Sequence, residues 1–268
     1  MQLTIAMVQM DIAPGDPEAN LTRMDGFVAR AAAKGAELVV FPEDAITGPM
    51  DNQTAFAHHA GEFLVRCAAM AAAHGVDLVP GSWSVPDAGA LYNTAYYINS
   101  DGSLAGSYSK ANLWETEKAT ITPGPGPVVV PTRHGPVGLA ICWDIAHPAQ
   151  FQAMAAMGAE LVVSPTYWSL PRGAATGFLE KKEERDLIDA LCLARAFEAD
   201  VVLAYCNAAG AVGSREKGDD KRAGVLSGRS QLTHPHEKVL ARARGNGEQV
   251  LVETFGHARA GARAGVPA

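Results

Sequence analysis

The chain has no surplus of basic charge: 22 Lys and Arg stand against 29 Asp and Glu, for a formal net charge of −7. A protein that neutralises phosphates or anionic headgroups presents a basic patch, so neither nucleic acid nor a membrane surface is expected as a partner. No apolar run reaches the roughly 18–20 residues needed to span a bilayer. The opening Met1-Gln2-Leu3-Thr4 begins a strand-like run with no basic leader, so a cytoplasmic location is expected. Cysteine is scarce. Cys67, Cys142, Cys192 and Cys206 show no CxxC spacing, which speaks against a disulfide framework or a thiolate metal site. There is no GxxxxGK[ST] loop and no GxGxxG after a strand, and no helix follows Gly124-Pro125-Gly126 to make a phosphate site. What remains, at 48% hydrophobic and 19% charged over 268 residues, suits a globular enzyme of one domain, residues 1–268.

The sequence repeats itself. Gly35-Ala36-Glu37-Leu38-Val39-Val40 recurs as Gly158-Ala159-Glu160-Leu161-Val162-Val163, each followed two residues later by a proline, Pro42 or Pro165. Each half opens with an apolar strand that ends at an acid: Leu3 to Met10 before Asp11, and Val137 to Trp143 before Asp144. In the first half Asp16 is a candidate N-cap, Pro17 opens the helix, Leu21, Met24, Val28 and Ala31 mark one face, and Gly35 stops it. In the second half the helix runs from Pro148 to Met157, with Gly158 as its stop. After the repeated strand come longer helices near Thr54–His74 and Gly177–Ala199, then strands Val76–Pro80 and Val201–Cys206. In the second long helix Leu187, Ile188, Leu191 and Ala194 define the apolar face, and Lys181, Lys182, Glu184 and Arg185 a solvated one. Each half closes on a hairpin, Asn93–Asn99 with Ser103–Ser109, and Gly228–Thr233 with Lys238–Ala243. Alternating strands and helices in two matching halves predict an α/β fold, with two sheets face to face and helices outside. Pro123 to Pro127 reads as a rigid turn, not a domain boundary.

Three residues at element ends stand out. Cys142 follows the short apolar strand Gly138-Leu139-Ala140-Ile141 and precedes a helix, an elbow that presents a nucleophile at a sheet edge. A helix N-terminus there is expected to lower the thiol pKa and to offer N–H groups to an oxyanion. The alternative is one more buried thiol, the reading that fits Cys67, Cys192 and Cys206. Glu43 ends the run Leu38-Val39-Val40-Phe41-Pro42, and a carboxylate desolvated at a strand's C-terminal end suits a general base; a solvated loop acid beside Asp44 is the plainer alternative. Lys110 closes the first hairpin and can either guard a sheet edge or face an anionic intermediate. Glu115 and Glu117 follow it, free to hold the lysine, orient substrate or face water. Tyr167 and Trp168 follow the second repeated strand, where they either line a pocket or pack.

In order along the chain, Phe41-Pro42-Glu43 with Thr47-Gly48, Asn93-Thr94-Ala95 with Asp101-Gly102 and Tyr108-Ser109-Lys110, Leu113-Trp114 with Glu117 and Pro123-Gly124, and Gly138 through Asp144 with Pro148 resemble the nitrilase, or carbon–nitrogen hydrolase, superfamily. Ala194-Arg195-Ala196, Glu198, Asn207 and Gly228-Arg229-Ser230 resemble its later segments. The chain departs from the pattern at Ala146 and His147, where relatives commonly carry arginine and an aromatic, at Ala199, where many carry asparagine, and at His236-Glu237 in the last turn.

The resemblance implies a four-layer αββα sandwich and a Glu43, Lys110, Cys142 catalytic set. In that scheme Glu43 takes the thiol proton, Lys110 and a backbone N–H near Trp143 hold the oxyanion, and a thioester forms on Cys142 and is hydrolysed. It assigns a supporting role to Glu117, needs no cofactor and no metal, and implies a homodimer. The expected substrate is a small amide or N-carbamoyl compound, with Asp144 favouring amide over nitrile. Nitrile hydrolysis by the same residues and a non-catalytic binding protein of this fold are the alternatives. A metal hydrolase is disfavoured, because His58-His59 and His234-Pro235-His236 lack HExxH spacing and His74, His134 and His257 are scattered singly.

Overall fold

A computed structural model describes residues 1–49, 54–170, 181–211 and 224–257. The first half begins with strand β1 (Gln2–Gln9), helix α1 (Pro17–Ala32), β2 (Leu38–Val40), helix α2 (Ala60–His74) and β3 (Asp77–Val79). It closes on β4 (Ser82–Asp87), β5 (Ala90–Ile98) and β6 (Leu104–Ser109). Beyond β7 (Val128–Thr132) the second half repeats the order, with β8 (Gly135–Leu139), helix α3 (Pro148–Ala156), β9 (Leu161–Thr166), the short β10 (Ser169–Leu170), helix α4 (Lys181–Ala199) and β11 (Val202–Asn207). It ends with β12 (Val225–Leu226), the hairpin β13 (Gln231–His234) and β14 (Lys238–Arg242), and β15 (Gln249–Gly256).

The expected helix signals act where the sequence puts them. The Asp16 carboxylate accepts the Ala19 N–H at 3.0 Å, capping α1, and Pro17 is its first residue. α1 turns Leu21, Met24, Phe27, Val28 and Ala31 inward. The strand runs β1-β2-β3 and β8-β9-β11 are parallel and almost wholly buried, so both faces are covered.

Two sheets result. One has the order β15-β1-β2-β3-β5-β4 with β6 on β5, the other β14-β13-β11-β9-β8-β7. Leu3, Ile5 and Leu38 of the first meet Val137, Leu161, Val202 and Leu232 of the second in one core between the sheets. α1 and α2 cover the outer face of the first sheet, α3 and α4 that of the second. The fold is therefore the αββα sandwich expected, built from two matching halves.

Some of the fold was not anticipated. β15 pairs along its whole length with β1, Gln2 opposite Gly256 through Gln9 opposite Gln249, so the end of the second half completes the first sheet. β7 is an edge strand containing Pro131, a residue tolerated where no ladder N–H is needed. On α4 the buried face is Ile188, Cys192, Ala196 and Ala199, and Leu187 is exposed. That face is rotated from the one expected because α4 packs across β11 and β13. The expected start of this helix, residues 177–180, lies outside the described residues.

Gly81, between β3 and β4, has φ +90°, and a Cβ there would sit 2.0 Å from the Pro42 carbonyl oxygen. Gly81→Ala should lower the unfolding free energy by about 2–4 kcal/mol, from overpacking plus left-handed backbone strain. Chemical denaturation measures this; an unchanged midpoint would mean the strand end beside Glu43 yields freely.

Candidate active site

Glu43 leaves the C-terminal end of β2 and is held there by backbone pairing, with the Phe41 N–H on the Val79 carbonyl at 2.9 Å and Glu43 bridged to Ser82. Lys110 follows β6. Its N–H donates to the Asn93 carbonyl at 2.8 Å and its carbonyl accepts the Gly124 N–H at 2.9 Å. With the backbone fixed on both sides, the lysine side chain runs inward and is 1% exposed. Its Nζ donates to Glu43 Oε1 at 2.9 Å and to Glu117 Oε1 at 2.7 Å. Asn93 Nδ2 donates to Glu43 Oε1 at 2.9 Å, and the Tyr167 N–H donates to Glu43 Oε2 at 3.0 Å. Glu117 Oε2 accepts the Trp114 N–H at 2.6 Å. Glu117, not Glu115, is the buried acid, and Glu115 pairs at the surface with Lys118.

Cys142 stands where β8 runs into a short 3₁₀ turn, Cys142–Ala146, and its backbone has φ +47°, a conformation non-glycine residues rarely hold. Asp144 fixes the turn. Its Oδ2 accepts the Ile141 N–H and the Tyr108 hydroxyl, each at 2.8 Å, and its Oδ1 accepts Asn112 Nδ2 at 2.8 Å. The Tyr108 hydroxyl in turn accepts from the Ala111 N–H at 2.9 Å and from Gln150 Nε2 at 3.0 Å. The Cys142 turn is thus tied to the segment carrying Lys110.

Glu43, Lys110, Glu117 and Cys142 open onto one cavity of about 260 Å³. Trp143, Tyr167 and Trp168 line it too. So do residues not singled out as lining a site, among them Asp44, Trp114 and Glu184. Asp44 is buried, with φ +63°. Its place beside Glu43 was the only clue to it. Glu184 was expected on the solvated face of α4. It is instead half-buried, because its Oε1 accepts Trp168 Nε1–H at 2.8 Å.

Electrostatics also corrects an expectation. The true α-helix starts only at Pro148, and burial, with the Glu43 carboxylate, pushes the Cys142 thiol well above its ordinary pKa. Lys110 and the Tyr167 N–H oppose this and do not prevail. Burial alone would push Lys110 down, but Glu43, the charged form of Cys142 and Glu117 hold it well up, so it stays an ammonium. Burial and the Glu43 charge raise Asp44 well above the usual carboxylate range.

The other cysteines, Cys67, Cys192 and Cys206, are fully buried, and burial pushes the Cys67 thiol to about 12. His257 is not isolated, since its ring lies 5.2 Å from that of His234 and 6.4 Å from that of His236. Among the described residues no group of three or more His, Cys, Asp or Glu is arranged to hold a metal ion.

The family model described as carbon-nitrogen hydrolase matches residues 4–263. The chain belongs to the carbon–nitrogen hydrolase family. It is 29% identical to human omega-amidase NIT2 over 252 residues, covering 89% of this chain and 83% of that protein. The 2-oxoglutaramate amidase of Bacillus subtilis is 27% identical over 248 residues, covering 90% and 86%. Among solved structures, a double mutant of the amidase from Nesterenkonia sp. AN1 in complex with acrylamide superimposes with a TM-score of 0.79 at 28% identity, covering 95% of this chain and 91% of that one. A further mutant of that amidase, with the acetamide moiety of fluoroacetamide added covalently at its active site cysteine, gives 0.79 at 28% identity, covering 94% and 90%. As a carbon–nitrogen hydrolase, the chain is an amidohydrolase of the nitrilase superfamily.

Because the resting thiol of this hydrolase is protonated, its labelling by a small neutral thiosulfonate should keep accelerating as pH rises past 9, the ordinary thiol value. Stopped-flow labelling followed by mass spectrometry at Cys142 measures this. A rate already level below pH 8 would mean a resting thiolate.

Proposed function

We propose that this protein hydrolyses the C–N bond of a small amide or N-carbamoyl compound, working as one domain through Glu43, Lys110 and Cys142. The observation that carries the reading is the shared cavity. A buried ammonium, bonded to two carboxylates, and a thiol on a strained elbow open onto the same space. A binding module has no use for such a pairing.

The steps are those the family resemblance implies, and the geometry supports them. Glu43 accepts the Cys142 proton as sulfur attacks the carbonyl carbon, and the C=O electrons move onto oxygen. The Lys110 ammonium and a backbone N–H near Trp143 stabilise that oxyanion. When the oxyanion collapses, the C–N bond breaks, Glu43 returns its proton to the leaving nitrogen, and a thioester remains on Cys142. Water then attacks the thioester with Glu43 as base, releasing the acid and restoring the thiol. The Tyr167 N–H on Oε2 and Asn93 on Oε1 keep the Glu43 carboxylate from turning between steps. Glu117 anchors Lys110 and supports the reaction through it. The relatives named omega-amidase and amidase support amide over nitrile.

No helix among the described residues is long and apolar enough to cross a membrane. We place the protein in the cytoplasm, a reading supported by four unpaired cysteines. A homodimer is supported by exposed Met157, just past α3, and exposed Leu193 and Phe197 in the last turns of α4.

The test is ammonia release from a panel of small amides and N-carbamoyl amino acids. Cys142→Ala should abolish turnover with the fold intact by circular dichroism, and Glu43→Gln should lower kcat by at least about 100-fold. Full activity in Cys142→Ala would end the proposal.

A further inference from the structure

The cavity wall carries more than the reaction needs. Three indoles meet there: Trp114 and Trp143 edge to face with centroids 4.3 Å apart, and Trp143 and Trp168 tilted at 5.4 Å. A hydrophobic slot alone would serve an aliphatic amide, but this one is edged with acid. Glu184 reaches in from α4 and is held against the Trp168 indole N–H. Asp44 is 4% exposed and its Oδ1 has no hydrogen-bond partner among the described residues. Such an orphaned buried acceptor is costly unless a ligand donates to it.

Charge points the same way. The described lining carries the carboxyls of Glu43, Asp44, Glu117 and Glu184 and one cation, Lys110. Lys110 is already bonded to Glu43 and Glu117, so the described wall offers a carboxylate-bearing substrate no unengaged cation. Indole faces attract cations through the ring quadrupole, and a desolvated carboxylate beside them adds to that attraction.

We propose that the cavity selects amides whose far end carries an ammonium group, seated among Trp114, Trp143 and Trp168 and countered by Glu184, with Asp44 accepting a hydrogen bond from the bound molecule. This inference rests on the amidohydrolase reading and narrows its substrate class to amino-amides and ureido-amines. An incoming ammonium also relieves the like-charge crowding of the site, because the excess carboxyl charge then has a second partner.

The experiment compares three primary amides of matched length: 5-aminopentanamide with a cationic tail, hexanamide with a neutral tail and adipamate with an anionic tail. kcat/KM is read from ammonia release at low and high salt. The cationic amide should exceed hexanamide by about tenfold or more, and adipamate should fall below both. The cationic preference should shrink as salt rises. Glu184→Gln should cut the ratio of cationic to neutral kcat/KM by about tenfold, through KM for the cationic amide. A merely structural Glu184 would instead depress all three substrates together. Equal rates for the three tails, or a preference for adipamate, would overturn the inference while leaving the amidohydrolase reading intact. No turnover of 5-aminopentanamide would also overturn it; whether the amidohydrolase reading falls too is decided separately, by the neutral and N-carbamoyl panel.

Discussion

A single buried ammonium organises this molecule. Lys110 sits with almost no exposure between Glu43 and Glu117, and an unpaired charge in such a place would cost several kcal/mol. Each carboxylate must therefore stay within bonding distance, although Glu43 lies 67 residues from the lysine in sequence and arrives on a different strand. The backbone is arranged to guarantee this. Lys110 is gripped through its own N–H and carbonyl, Glu43 leaves a strand paired on both sides, and Glu117 caps back onto the Trp114 N–H. Loosening any of these leaves a charge without its partner, so the fold and the site stand or fall together.

The second half of the chain supplies the rest, and the internal repeat explains how. The duplicated segment supplies β2, shortly before Glu43, and the first half of β9, which ends just before Tyr167. One copy gives the acid, and the other gives the N–H that orients it. Cys142 comes from β8, at the C-terminal edge of the same parallel run, the edge where α/β sheets gather their ligands. Asp144 and Tyr108 then tie that elbow to the Lys110 segment, across the boundary between the halves. Neither half alone assembles the site.

Much of this was legible in the sequence where the cause is local. The Asp16-Pro17 start of α1, the buried parallel strands and the first hairpin follow from capping, run composition and turn residues within a few positions. The gathering of Glu43, Lys110 and Cys142 was suggested by motif order and family resemblance, not by periodicity. What escaped notice depends on distant partners. β15 is a strand because β1 needs an edge partner, and nothing within Gln249–Gly256 names that partner. Glu184 resembled one more charge on a solvated helix face, and only the position of Trp168 brings it inward. Asp44 was hidden by its own neighbour, since one acid at a strand end accounts for the motif and the adjoining acid then reads as loop. The rotation of α4 and the meeting of His257 with His234 are likewise facts about packing angles and strand order.

The raised thiol pKa also bears on how the site is kept safe. A resting thiolate at Cys142 would be buried and would face Glu43 and Glu117, and Lys110 and the Tyr167 N–H do not offset this, so the thiol is held well above its ordinary pKa. In the mechanism proposed above, deprotonation then makes sense only when a carbonyl is present to carry the charge onward to an oxygen facing Lys110. On that proposal, the same excess of carboxylate that discourages the free thiolate couples activation to substrate arrival. It also leaves the sulfur a poor target for stray electrophiles and oxidants, which attack thiolates and not thiols. On the proposed mechanism, the acidic wall, the buried lysine and the strained elbow belong to one electrostatic design, in which negative charge is tolerated on the reacting oxygen and discouraged on the sulfur.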